Sequence, residues 1–298
     1  MGKRGSWRFQ IDKAFKRINR IGHSRHEDKT NGRGTDGIYS SRTWHDYREA
    51  CRGCAEWAKR EFGIKTDIRL LTREMGQAYL DYKAKQGRAG GTLGRIKSAI
   101  VKLSVALYGE GNKWKLKETW HSDRRPDKAY TPQQARQIEA SVRKHARDPQ
   151  TADVVKLASI GGLRRQEAVY LRGQDINVTE CTLTLVKGTK GGKVRTVRID
   201  PKHRKYLAKL KRQAAGNSDG SVFRGRGGLA RRVENAVAAA CKRLGIARKG
   251  VHAFRKTWAQ ERYRELRDHG LDDRGARRAV AKELGHNRLD VTRSYIPE

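Results

Sequence analysis

Acidic residues are scarce in this chain. Its 298 residues include 32 Asp and Glu against 68 Lys and Arg, for a formal net charge of +36. Such an imbalance repels itself in a compact state unless a polyanion offsets it. DNA or RNA is the expected partner, because neutralising phosphates releases condensed counterions. Charge alone is equally compatible with a protein that coats nucleic acid without chemistry, as ribosomal and chromatin proteins do. Long apolar runs are also missing, and none approaches the ~20 residues needed to cross a bilayer. The first residues, MGKRGSWRFQ, lack the apolar stretch of a secretory signal. No membrane partner is expected, and a cytoplasmic, nucleoid-associated location would keep the four cysteines reduced. The chain has no internal repeat, no G-x-x-x-x-G-K-[ST], no D-x-D and no clustered acidic pair. A nucleotide or metal mechanism therefore has no support, and neither metal nor cofactor is expected.

Hydrophobic residues make up 36% of the chain, lean but compatible with globular folding. Residues 1–36 are basic, contain glycine and read as an arm that either touches DNA or stays disordered, since Phe15, Ile18 and Ile21 close no core. Residues 37–121 read as a helical bundle with basic outer faces. One helix is expected from Ser41 to Phe62, ended by Gly63, another after Thr72, and a third after Thr92. Leu93, Ile96, Ile100, Leu103 and Leu107 form the buried stripe of the third, with Lys97 and Lys102 off that stripe as candidate DNA contacts. His23 and His26 with Cys51 and Cys54 have spacing reminiscent of zinc ligands. Trp44, Tyr47, Cys51, Cys54 and Ala58 nevertheless recur at steps of three and four, so core packing is the preferred reading. Residues 122–130 read as a linker. From 131 a second domain begins, with Thr131 as cap and Pro132 at the first helical position. Two β-prone runs, Thr182–Val186 and Val194–Ile199, flank a glycine-rich turn, and helices resume from Pro201. The expected fold is mainly α with a small antiparallel β-sheet.

Four pieces of residues 131–298 stand out in order: GGLRRQE at 161–167, KGTKGGKVR at 187–195, HAFRKTW at 252–258 and LGHNRLDVTRSY at 284–295. Each is weak alone in so basic a chain. Together they resemble the motifs of the tyrosine recombinase (phage integrase) family. Gly162, Leu163, Arg164 and Glu167 match its G-L-R-x-x-E, and Lys190 precedes Gly191, Gly192, Lys193 and Arg195 as its hairpin lysine does. His252 and Arg255 match its H-x-x-R, and Leu284, Gly285, His286 and Tyr295 match its last box. The resemblance is carried by motif from 131 to 298 and by architecture alone over the N-terminal bundle, which looks like a core-binding domain.

The resemblance implies a site-specific recombinase that cuts and rejoins DNA through a 3′-phosphotyrosyl link to Tyr295 and a Holliday junction, without metal or ATP. Arg164 and Arg255 would present donor forks to the phosphate. His252 and His286 would hydrogen-bond it, with one of them taking the phenol proton. Lys190 would protonate the departing 5′ oxygen by resemblance to the family. Glu167 would orient Arg164 or His252, and Lys193 and Arg195 would join Lys97 and Lys102 as DNA contacts. The implied assembly is a two-domain C-shaped clamp on double-stranded DNA carrying specific recombination sites. Four protomers would hold two duplexes, with accessory DNA-bending proteins as further partners.

Two features depart from the family pattern. The stretch between Arg255 and His286 is long, and its segment RDHGLDDRGARRA is expected to form a loop or extra turn. Only Ile296, Pro297 and Glu298 follow Tyr295, so the helix with which many relatives dock a neighbour is not expected. Two rival readings stand beside it: a type IB topoisomerase, which would relax supercoils without a required site, and a catalytically silent DNA-binding accessory protein.

Overall fold

The computed structural model describes residues 5–120, 129–189, 194–285, 292 and 294–296. The chain divides into two compact units, Met1–Asp123 and Arg124–Glu298. The described residues are mainly helical with one small antiparallel sheet. None of their helices is long and apolar enough to cross a membrane.

The first unit contains α1 (Trp7–Phe15), α2 (Arg25–Thr30), α3 (Ser41–Phe62), α4 (Arg73–Lys85) and α5 (Gly90–Tyr108). Local signals set most of these limits. Ser40 caps α3 by accepting from the Thr43 amide, and Gly63 ends it at φ +63°, a left-handed conformation that costs glycine little. Thr72 caps α4. Helix α5 starts at Gly90, ahead of Thr92, which lies inside its first turn.

The N-terminal arm expected over residues 1–36 is corrected. Ser6 caps α1, whose residues Trp7, Ile11, Ala14 and Phe15 enter the same core as Cys51, Cys54, Trp57 and Leu80. Phe15 meets Trp44 edge-to-face at 5.7 Å, and the Trp44 indole N–H donates to Asp12 at 2.7 Å. Each large apolar side chain buried here contributes roughly 1.5–3 kcal/mol, which favours packing over a free tail. Ile38 is fully buried as well, held by its amide to the Ile18 carbonyl. Cys51 and Cys54 are core residues. Burial pushes both thiols up, Cys54 to about 12, so neither is a thiolate at neutral pH.

The second unit contains α6 (Pro132–His145), α7 (Gln150–Gly161), α8 (Arg165–Val169), β1 (Ile176–Asn177), β2 (Thr182–Leu185), β3 (Arg195–Arg198), α9 (Arg204–Ala215), α10 (Arg226–Leu244), α11 (His252–Asp268) and α12 (Asp273–Glu283). Thr131 and Gln134 form a reciprocal capping box at the start of α6. The strands run in the order β1-β2-β3, with Leu183 opposite Val197. Leu183, Leu185 and Val197 point into the core, while Thr184, Thr196 and Arg198 face outward.

Two expectations change here. Tyr130, placed in the linker, is buried, and its hydroxyl accepts from the Lys249 amide at 2.9 Å. The segment RDHGLDDRGARRA is not a loop, because it closes α11 and opens α12. Asp272 caps α12 through the Gly275 amide at 2.7 Å, and Ala276 and Val280 bury its apolar face. The charged residues of this segment mask a helical stripe of small apolar ones.

Candidate active site

The site begins at the end of α7. Gly162 terminates that helix at φ +57°, and a Cβ there would come within 2.5 Å of the Trp258 ring. Only glycine satisfies both demands. The freed Gly162 carbonyl accepts from Arg255 Nη1, so a helix C-terminus becomes the anchor of a buried guanidinium.

Glu167, on α8, organises the arginines. It is buried, and its carboxylate accepts from the Arg164 amide at 2.6 Å, from Arg164 Nη1 at 2.6 Å and from Arg195 Nη2 at 2.7 Å. Arg255 Nη1 lies 3.7 Å away. Burial alone would raise this carboxyl. The hydrogen bond and charge of Arg195, the Arg164 amide and the charge of Arg255 outweigh it and hold the pKa below the usual range.

Arg255 is fully buried on α11 and also donates to the Leu284 carbonyl at 2.5 Å. Arg195 reaches the neighbouring Glu283 carbonyl. The C-terminal end of α12, where carbonyls lack helical partners and the dipole is negative, is thus closed by two cations. Burial, then the nearby charges of Arg195 and Arg164, lower the Arg255 pKa to about 10, which leaves it charged at neutral pH. Its Nε is buried without a hydrogen-bond partner among the described residues.

Tyr295 is buried, and its hydroxyl lies 2.9 Å from His252 Nε2. The two rings meet edge-on with centroids 5.5 Å apart. Desolvation and the charges of Arg255, Lys256 and Arg164 push the His252 pKa down to about 4. Because the residue as a whole stays exposed, the three cations are the sturdier cause. The imidazole is therefore neutral at neutral pH, which leaves one ring nitrogen able to accept a proton.

The structure brings together Arg164, Glu167, Arg255, His252 and Tyr295. The three catalytic and DNA-contact candidates Lys190, Lys193 and His286 lie outside the described residues. Three other DNA-contact candidates lie within the described residues, each against an acidic partner. Arg195 is largely buried against Glu167 and positions the site from inside. Lys102 is mostly buried and bound to Asp36 at 2.7 Å. Lys97 is tied to Glu118 at 3.0 Å. Glu167 accepts from both the amide and Nη1 of Arg164. Sequence reasoning missed Lys256 and Gln260, whose signal was their place at successive steps of four after His252 along one helix.

Guanidinium groups held by a buried carboxylate and helix-end carbonyls thus stand beside an imidazole in contact with a phenol. Residues 128–298 match the phage integrase family. That span is more than half of the chain, and the chain belongs to this family. No curated protein matches it. Among solved structures, it resembles the Tn1549 transposon integrase in complex with transposon right end DNA, with TM-score 0.62 and 13% identity over 96% of this chain and 94% of the other. It also resembles the XerH site-specific recombinase bound to difH substrate before cleavage, with TM-score 0.60 and 18% identity over 97% and 80%. A lambda integrase dimer bound to a COC′ core site gives TM-score 0.59 and 15% identity over 91% and 75%. At these identities the likeness is one of fold.

Proposed function

We propose that this chain is a site-specific DNA recombinase in which Tyr295 is the nucleophile. The observation that carries the reading is the 2.9 Å contact between the Tyr295 hydroxyl and His252 Nε2, beside the buried Arg255. The phenol's ordinary pKa is about 10, so its proton needs an acceptor, and the neutral His252 ring is in reach. As Tyr295 Oη forms a bond to the scissile phosphorus, the phenol proton passes to His252 and the bond to the 5′ oxygen breaks. Arg164 and Arg255 offset charge on the non-bridging oxygens, where preorganised donors act with little reorganisation. Lys190 supplies the proton to the departing oxygen, and His286 adds a donor to the phosphate, as the family's motifs assign them. Attack by the 5′ hydroxyl of a partner strand reverses these steps and releases the enzyme. An ester replaces an ester, so no external energy source is needed.

The N-terminal unit acts in this reading as a core-binding domain. The two units clamp one duplex, and four protomers on two duplexes exchange strands through a Holliday junction, helped by DNA-bending partners. The neighbours' complexes with DNA support duplex DNA as the partner. Nicked duplexes drawn from DNA flanking the gene test the chemistry. A denaturation-resistant protein–DNA adduct is expected with the wild-type chain and absent with Tyr295→Phe. An adduct that persists in Tyr295→Phe would refute the assignment.

A further inference from the structure

Three side chains at steps of four along α11 converge on one residue. His252 meets the Tyr295 hydroxyl at 2.9 Å. Lys256, buried one turn later, places its ammonium 5.7 Å from the Tyr295 ring centroid. Gln260, one turn further, donates from Nε2 to the Tyr295 carbonyl at 2.9 Å. Residues spaced by four share a helix face, so one stripe of α11 contacts the tyrosine at its hydroxyl, its ring and its backbone. The segment is braced from the other side as well. Tyr295 and Ile296 pack with Ala259, Val280 and Leu284, and Arg277 of α12 donates to the Ile296 carbonyl at 3.2 Å. The amides of Tyr295 and Ile296 both donate to the Thr292 carbonyl, at 2.9 and 3.0 Å.

We infer that His252, Lys256 and Gln260 form a seat that holds the nucleophile within its own protomer, and that Lys256 and Gln260 are positioning residues for Tyr295. The inference rests on the recombinase reading for its catalytic meaning, but the seat itself is a property of the chain alone. An unsupported phenol would sample many positions, and attack needs one. Gln260 fixes where the backbone sits. The Lys256 ammonium lies within the range over which a cation is attracted to an aromatic ring, and it favours the negative charge that develops as the phenol loses its proton.

Amide hydrogen exchange on the full chain without DNA, read at Tyr295 and Ile296, tests the seat. Gln260→Glu keeps the side-chain shape but removes the donor, and exchange at these amides should quicken about fivefold, the worth of one ordinary hydrogen bond. Gln260→Lys restores a donor and should return exchange toward the wild-type rate. Unchanged exchange in Gln260→Glu, with the thermal midpoint unaltered, overturns the seat. On a duplex that the wild-type chain cleaves, Gln260→Glu and Lys256→Met should slow adduct formation at saturating DNA about tenfold. DNA affinity should hold steady, and Lys256→Arg should recover most of the rate. Equal rates in all variants would overturn the positioning role. Quickened exchange in Gln260→Glu together with no cleavage of any duplex by the wild type would leave the seat standing and sink the recombinase reading instead.

Discussion

Replacing Glu167 by Gln is the most informative single perturbation of this site. The wild-type carboxylate is fully buried and accepts from two groups of Arg164 and one of Arg195 at 2.6 to 2.7 Å, with Arg255 at 3.7 Å. Gln keeps the volume but removes the charge and turns one acceptor into a donor that faces other donors. Three guanidiniums are then left close together without a counter-charge. Breaking a buried ion pair by removing one partner costs about 3–5 kcal/mol. For a unit of this size that corresponds to a fall of roughly 10 °C in the thermal midpoint. Melting and denaturant titration of wild type and Glu167→Gln at a series of pH values provide the assay. The carboxyl's pKa is lowered in the folded chain, so its contribution is present above the unfolded value, about 4.3. It is lost as pH falls through the folded value. The gap between the two proteins should therefore be full at pH 7 and shrink only on acidification below about pH 4. A gap under about 1 kcal/mol at pH 7 would refute the reasoning, because that is what an exposed ion pair yields. So would a gap that widens toward acid.

Other outcomes follow from the same geometry. With His252 titrating near 4, adduct formation should show no histidine step between pH 6 and 8 and should fall only as pH approaches 4; a step near 6.5 assigned to His252 by its loss in His252→Gln would contradict the neutral-base role. Arg255→Lys should retain DNA binding in a gel-shift assay while adduct formation drops about 10²–10³-fold, since an ammonium cannot span the Gly162 and Leu284 carbonyls while facing phosphate. Gly162→Ala combines a left-handed backbone with a Cβ at 2.5 Å from Trp258, and should lower stability by about 1–3 kcal/mol in denaturant titration. Trp7→Ala should destabilise the N-terminal unit by about 3–5 kcal/mol; wild-type melting would restore the picture of a free arm.

Much of the fold was legible because helix ends are settled within a few residues of chain. Ser40 and Gly63 bound α3, and Thr131, Pro132 and Gln134 open α6, through contacts spanning three or four positions. The stripe on α5 and the alternation in β2 and β3 report one buried face each, so the cores were visible in outline. The candidate site residues were legible for a different reason. Arg164, His252, Arg255 and Tyr295 stand in ordered motifs whose residue types suit phosphate and a phenol.

Tertiary structure alone decided what each charge is for. Arg195 and Lys102 look like exposed cations in the sequence, but Glu167 and Asp36 are their partners, 28 and 66 positions away. The burial of Phe15 and Tyr130 depends on α3 and α10, which neither residue's neighbours announce. The same holds for the packing of Tyr295 against α11. A local sequence states which interactions a side chain is able to make, while long-range packing chooses which of them removes it from water.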